Sequence, residues 1–143
     1  MVHLKRFFAI AWLCVSTLAA HAAGPNTDIF GVWKVQRVAG YADSFGLSER
    51  QIHAMIGKPI VIAAAQFSFN GRVCRNPSYS RRSEQSATYF RREWQANSSA
   101  LPLPNPVTVI DTGCNLLYPS GKDHIVIAED SGVFFEAVRV GKR

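Results

Sequence analysis

The stretch Gly31-Val32-Trp33-Lys34-Val35 opens the first long run of alternating side chains in the sequence. Two sets of residues alternate from here to position 38, namely Gly31, Trp33, Val35 and Arg37 on one side and Val32, Lys34, Gln36 and Val38 on the other. A period of two with β-branched residues is typical of a β-strand with one buried face. We therefore expect residues 31–38 to form a strand that places the large Trp33 ring in the core.

The first 22 residues have the organisation of a secretory signal peptide. Lys-Arg at positions 5–6 precedes an unbroken apolar run over residues 7–15, and the small-residue motif Ala20-His21-Ala22 follows. These are the three parts of a cleavable signal, and the run is shorter than the roughly 20 apolar residues that a membrane-spanning helix needs. We predict cleavage after Ala22, a periplasmic or secreted location, and no transmembrane segment in the mature chain.

Cleavage at this point leaves residues 23–143, which we expect to form a single domain. The full chain is 48% hydrophobic and 18% charged, a composition typical of globular proteins. Its formal charge of +6 falls to +4 when Lys5 and Arg6 are removed. The mature domain is therefore only modestly basic.

Two cysteines, Cys74 and Cys114, remain in the predicted mature chain. An even number of cysteines in an oxidising compartment indicates a disulfide. It would close a loop of about 40 residues. By the chain-entropy relation, such a disulfide raises the free energy of unfolding by about 3–4 kcal/mol. The alternative is a pair of free thiols.

Turn and cap signals divide the rest of the domain into short elements. Ser48-Glu49-Arg50-Gln51 fits a capping box and predicts a helix over residues 48–56, ended by Gly57 and Pro59. Asn70-Gly71 predicts a two-residue hairpin. Residues 78–100 are ambiguous, and alternation favours a strand near 87–94 over a helix. The pattern predicts a mostly β protein, a small antiparallel up-and-down barrel of about eight strands with one short α-helix.

Gly31-x-Trp33 on the first strand, together with Arg139 on the last, resembles the structural signature of the calycin superfamily, the lipocalins and their relatives. In that family the tryptophan lies across the barrel floor, and the arginine stacks on it and bonds to nearby backbone. The resemblance implies a lipocalin-like barrel with an end cap made by these three residues. The alternative is that Trp33 is an ordinary core aromatic residue and Arg139 a surface charge.

Six arginines are concentrated between residues 72 and 92, interleaved with aromatic side chains: Arg72, Arg75, Arg81, Arg82, Arg91 and Arg92. Basic and aromatic residues together are typical of nucleic-acid binding, but the predicted export argues against that partner. An anionic envelope component or an acidic protein face is the partner that such a surface indicates. The alternative is an ordinary solvated face.

No pattern in the sequence indicates catalysis. The mature chain has two histidines, His53 and His124, whereas a zinc site uses three or four ligands. Neither a Cys-x-x-Cys motif nor a Gly-x-Ser-x-Gly motif is present. We therefore expect no enzymatic activity, no cofactor and no metal.

Two classes of non-catalytic binding protein fit these observations. The first is an exported carrier that binds a small apolar ligand or a lipid inside a lipocalin-like barrel. The second is a periplasmic protein-binding module, such as an inhibitor or immunity protein, that acts through its loops and the arginine-rich surface. A ligand cavity inside the barrel favours the first, and an interior filled by side chains favours the second.

Overall fold

The computed structural model describes residues 26–141, so the predicted signal peptide lies outside the described residues. This part of the chain is mostly β, as predicted, with nine strands and two α-helices. The strands are β1 (Gly31–Tyr41), β2 (Pro59–Ala63), β3 (Gln66–Phe69), β4 (Arg72–Arg75), β5 (Ser80–Glu84), β6 (Val107–Asp111), β7 (Leu116–Gly121), β8 (His124–Glu129) and β9 (Val133–Gly141). The helices are α1 (Glu49–Met55) and α2 (Ser86–Trp94).

All nine strands belong to one antiparallel sheet in the order β4-β3-β2-β1-β9-β8-β7-β6-β5. The sheet curls into a half-barrel, which is close to the predicted small barrel. Its two edge strands, β4 and β5, are consecutive in the chain and are separated only by residues 76–79. The chain itself therefore connects the two edges of the sheet where the hydrogen-bonded ladder does not.

A disulfide joins Cys74 in β4 to Cys114 in the loop between β6 and β7, with the two Cα atoms 6.6 Å apart. The predicted pairing is thereby confirmed. Tyr79, in the segment between the edge strands, donates a hydrogen bond from Oη to the Ala63 carbonyl oxygen at 2.8 Å. Its ring lies 5.4 Å from that of Phe30. One covalent bond and one half-buried aromatic side chain thus hold the two edges together.

Each side of the sheet carries its own apolar core. The concave core contains large side chains from both halves of the sheet: Trp33, Ile60, Ile62, Phe67, Phe69, Ile110, Leu117, Ile125, Ile127 and Phe135. The convex core lies outside β6–β9, where α2 and the following loop cover Val107, Val109, Tyr118, Val126 and Phe134. Strands β6–β9 therefore lie between two apolar cores, the concave core on one side and the convex core on the other.

The local signals for α1 and for the Asn70-Gly71 hairpin are confirmed. The Ser48 backbone N–H donates to Gln51 Oε1 at 2.9 Å, and the Gln51 N–H donates to Ser48 Oγ at 3.4 Å, which completes the capping box. Gly57 follows the helix at a φ of +85°, a conformation that glycine adopts without steric cost. Asn70 and Gly71 both have positive φ, as a type I′ turn between β3 and β4 requires.

The expected strand near 87–94 is wrong, because residues 86–94 form α2. Tyr89 and Phe90 are both buried in the convex core. Strand alternation would have sent these neighbours to opposite faces, whereas a helix places both of them beside Ser86, one turn earlier. Within residues 26–141, neither helix has the length and apolar character needed to cross a membrane.

Replacing both cysteines by serine (Cys74→Ser/Cys114→Ser) should lower the free energy of unfolding by about 3–4 kcal/mol, because the unfolded chain regains the entropy of an open loop. Urea denaturation of the variant and of the oxidised wild type measures the difference. Reduced wild-type protein is the matched control and should behave like the variant. Equal midpoints for the oxidised protein and the variant would contradict the expectation.

Burial raises the pKa of Tyr79 to about 12, and its hydrogen bond to the Ala63 carbonyl opposes that rise only in part. Between the ordinary value of 10.0 and about 12, the unfolded chain releases this proton while the folded protein keeps it. Stability should therefore fall as the pH rises through this range. Tyr79→Phe should make the fall less steep in denaturation midpoints from pH 9 to 12, and an unchanged slope would contradict this cause.

Candidate functional site

Trp33 lies on the concave side of β1 at the end of the sheet where the strand begins, and only 1% of it is exposed. Its Nε1–H donates to the Ile29 carbonyl oxygen at 2.9 Å. That carbonyl belongs to a short 3₁₀ turn, Thr27–Ile29, which precedes β1. The indole thus satisfies its own polar atom while it fixes the segment that leads into the first strand.

Arg139 is the cross-strand neighbour of Trp33 in the β1–β9 pair, so the two residues that are far apart in sequence lie side by side. The guanidinium carbon Cζ is 4.1 Å from the centre of the Trp33 ring. Nη1 donates to the Phe30 carbonyl at 2.7 Å and Nη2 to the Asp28 carbonyl at 2.6 Å. Nε donates to Asp123 Oδ1 at 3.0 Å. All three nitrogens of the guanidinium are therefore engaged within the protein.

Gly31 allows the backbone to pass this close to the arginine. Its φ is +148°, a conformation that residues with a side chain rarely adopt. A Cβ at this position would lie 2.5 Å from the Gly141 carbonyl oxygen and 2.8 Å from Arg139 Nη1. A side chain here would consequently displace either β9 or the guanidinium. The structure brings Gly31, Trp33 and Arg139 together, and we call these three residues the end cap.

A cleft of about 390 Å³ opens beside the end cap. Trp33, Arg139 and the 3₁₀ turn form one wall, and the turn between β7 and β8 forms the other with Lys122 and Asp123. The apolar groups at its base, Ile29, Trp33 and Ile125, are almost completely covered by their neighbours. The half-buried Phe30 and Pro119 also line the cleft and supply apolar surface there.

The six arginines predicted as an anionic-partner surface are distributed over β4, β5 and α2. Five of them lie within salt-bridge distance of a carboxylate, and the pairs are Arg72–Asp130 at 3.2 Å, Arg81–Asp28 at 2.8 Å, Arg82–Glu84 at 3.1 Å, Arg91–Asp43 at 2.7 Å and Arg92–Glu93 at 2.6 Å. The sixth, Arg75, has no such pair among the described residues. Most of the positive charge of this group is thus compensated locally.

A buried carboxylate on the convex side of β9 was missed by the sequence reasoning. Glu136 contacts the Arg37 guanidinium, and its Oε1 lies 3.0 Å from His124 Nδ1. In the sequence, Glu136 is marked only by alternation, which places this acidic residue on the same face of the strand as Phe134 and Val138. The cluster is a structural ion pair with one exposed imidazole. Among residues 26–141, no group of three or more histidine, cysteine, aspartate and glutamate side chains is arranged to hold a metal ion.

Three polar groups meet inside the convex core. Tyr118 Oη lies 3.1 Å from Tyr89 Oη and accepts a hydrogen bond from Trp94 Nε1 at 2.9 Å. Burial raises the pKa of Tyr118 far above its ordinary value, with the neighbouring Tyr89 as the next cause. Burial likewise raises the pKa of Tyr89. Their hydrogen bonds link α2 to β7 inside the convex core.

Comparison of the chain with protein-family models, with curated proteins and with solved structures found no match. The curled antiparallel half-barrel is compatible with a calycin-like fold.

Arg139→Ala should lower the free energy of unfolding by about 1–3 kcal/mol, because the stacking on Trp33 is lost and two backbone carbonyls lose their donors. Arg75→Ala is the matched control, since it removes an exposed arginine that makes no described contact, and it should change stability by less than about 0.5 kcal/mol. Chemical denaturation measures both variants. Equal midpoints for Arg139→Ala and the wild type would reject the end cap as a stabilising feature.

Proposed function

We propose that this chain is an exported, non-catalytic protein-binding module, such as a periplasmic inhibitor or immunity protein, that acts through its outer surface. The observation that carries the proposal is the filled concave side of the sheet. Trp33, Phe67 and Phe135 are buried there in one continuous cluster with the aliphatic residues of the neighbouring strands. Small-molecule sites are usually cavities of about 300–1,000 Å³. On the concave side of the described sheet, where a barrel-type carrier would hold its ligand, buried side chains pack against one another instead.

Export is part of this proposal, and two observations support it. Residues 1–22 have the three parts of a secretory signal. The Cys74–Cys114 disulfide is the kind of bond that persists in an oxidising compartment. Both observations support the periplasmic or secreted location that the proposal includes.

We also propose that the domain is related to the calycins. The stacking of Arg139 on Trp33 and its hydrogen bonds to the backbone of the preceding segment agree with the arrangement that the sequence resemblance implies. The curled sheet is compatible with it. We therefore place the domain near the lipocalin-like barrels in architecture, with a filled interior.

A second candidate function is the binding of a small amphiphile in the cleft beside the end cap. The cleft volume of about 390 Å³ favours it, as does Lys122, whose ammonium makes no described contact. The covered base of the cleft argues for weak binding. A carrier that binds its ligand in this cleft, outside the concave core, is compatible with a filled interior.

The two candidates are separated by native mass spectrometry and fluorescence of the exported protein. The protein-binding proposal predicts a mass without bound lipid and an unchanged emission spectrum when oleate is added. A Trp94→Phe variant leaves Trp33 as the tryptophan of the predicted mature chain, so that a ligand beside the end cap would be seen directly. Co-purified lipid, or saturable quenching that Lys122→Ala weakens, would overturn the proposal in favour of the carrier.

A further inference from the structure

Among the described residues, a packed layer covers one half of the convex side of the sheet, whereas on the other half Val32 and Val61 are half-buried and Val73 is exposed. Outside β6–β9, helix α2 contributes Tyr89 and Phe90 to the convex core, and Leu101 and Leu103 follow from the next loop. Outside β1–β4, the described residues contribute no such layer. Val73 in β4, with 55% of its surface exposed, is among the most exposed large apolar side chains of the protein.

A row of side chains crosses this other half of the convex side in register. Val32 in β1 pairs with Val61 in β2, Val61 pairs with Ser68 in β3, and Ser68 pairs with Val73 in β4. Directly paired residues share a face of the sheet, and each of these residues is next in sequence to a member of the concave cluster. The row therefore points outward and is apolar at three of its four positions.

The two charged side chains that border this row on β1 and β4 are both cationic, and the carboxylate of Glu136 on the adjoining strand β9 is already paired with Arg37. Lys34 in β1 and Arg75 in β4 occupy the same outward face by alternation, and both are exposed. Neither has a carboxylate within salt-bridge distance among the described residues. Strands β1–β4 contain no aspartate or glutamate at all. This is unlike the region of Arg81 to Arg92, where acidic side chains compensate the arginines.

We infer that this surface, the valine face (Val32, Lys34, Val61, Val73 and Arg75), docks an amphipathic helix of a partner protein whose apolar stripe is bordered by acidic residues. The inference rests on the proposed protein-binding function and names the surface and the partner chemistry. The apolar row supplies the contact area, and the two unpaired cations select acidic flanks.

The protein's own α2 indicates why the occupant is a helix. On the other half of the same convex side, the apolar stripe of α2 packs against valines of β6 and β8. The valine face offers the same kind of surface, a shallow row of β-branched side chains. The charge pattern argues against a second copy of this chain, because the face has no carboxylate to compensate the cations of an identical face.

Site-specific photo-crosslinking in the cells that export the protein tests this assignment. The probe is p-benzoylphenylalanine, placed at position 73 on the valine face, at position 45 in an exposed loop, and at position 87 on the solvent side of α2. We expect a discrete protein adduct from position 73 and none from position 87. Peptide mapping should locate the crosslink in a segment with helical apolar spacing and net negative charge.

Charge reversal supplies the matched comparison. Lys34→Glu/Arg75→Glu should reduce the adduct from position 73 by roughly tenfold, which corresponds to about 1.4 kcal/mol. Arg50→Glu reverses the charge of an exposed arginine on α1 and should leave the adduct unchanged. Circular dichroism should give Arg50→Glu and the double variant the wild-type melting temperature, because none of the three residues makes a described ion pair.

The outcomes separate this inference from the proposed function. A protein adduct from position 45 alone would overturn the valine face but keep the protein-binding function. An adduct with a second copy of this chain, a lipid adduct, or equal loss in both charge-reversed variants would also overturn the inference. The absence of any protein adduct from all three positions would contradict the inference and the proposed function together.

Discussion

The contact between the Arg139 guanidinium and the Trp33 ring is the interaction on which the rest of the structure depends. A planar, delocalised cation can stack on an aromatic face while its N–H groups donate in the plane to carbonyl oxygens. Here the stack covers the end of the concave core, and the donors reach the carbonyls of Asp28 and Phe30. One side chain therefore joins the last strand, the first strand and the segment before it. A lysine would supply the charge without the flat surface or the paired donors.

The second constraint is that the curled sheet stays open, because its two edge strands do not form a hydrogen-bonded pair with each other. Its edge strands, β4 and β5, have no strand partner on their outer sides. The Cys74–Cys114 bond and the Tyr79 hydrogen bond to Ala63 hold these edges together. The Arg81–Asp28 ion pair lies at the same opening but is exposed, and such pairs contribute about 0–1 kcal/mol. The covalent bond, worth several times more, is the main stabilising link across the opening.

Much of this architecture could be predicted from local sequence, because short-range rules decide it. The alternation around Trp33, the capping box at Ser48 and the Asn70-Gly71 turn each depend on residues within one or two turns of chain. Arg139 was associated with Trp33 through a family resemblance, since nothing in spacing alone indicates a contact between residues so far apart in sequence. The two cysteines could be paired because their number is even and the predicted compartment oxidises thiols.

The sequence-based predictions failed where tertiary packing, and not local sequence, decides the structure. Residues 86–94 fit a strand by alternation, yet the convex side of the sheet needs a cover that buries Tyr89 and Phe90 together, and only a helix provides it. The same packing decides the candidate site. Six arginines near one another in sequence indicate a cationic surface. Carboxylates from distant segments, Asp28, Asp43 and Asp130, compensate three of them, and the neighbouring Glu84 and Glu93 compensate two more. The face that keeps its charge contains Arg75, which belongs to this run of arginines, and Lys34, which lies far from it in sequence.

A double-mutant cycle between Trp33→Leu and Arg139→Met tests the central contact most directly, since each substitution keeps apolar bulk while removing the ring or the cation. Urea denaturation of the wild type, both single variants and the double variant gives the coupling free energy. The end cap predicts a coupling of at least about 1 kcal/mol in favour of the native pair. Destabilisations that add to within about 0.3 kcal/mol would contradict it.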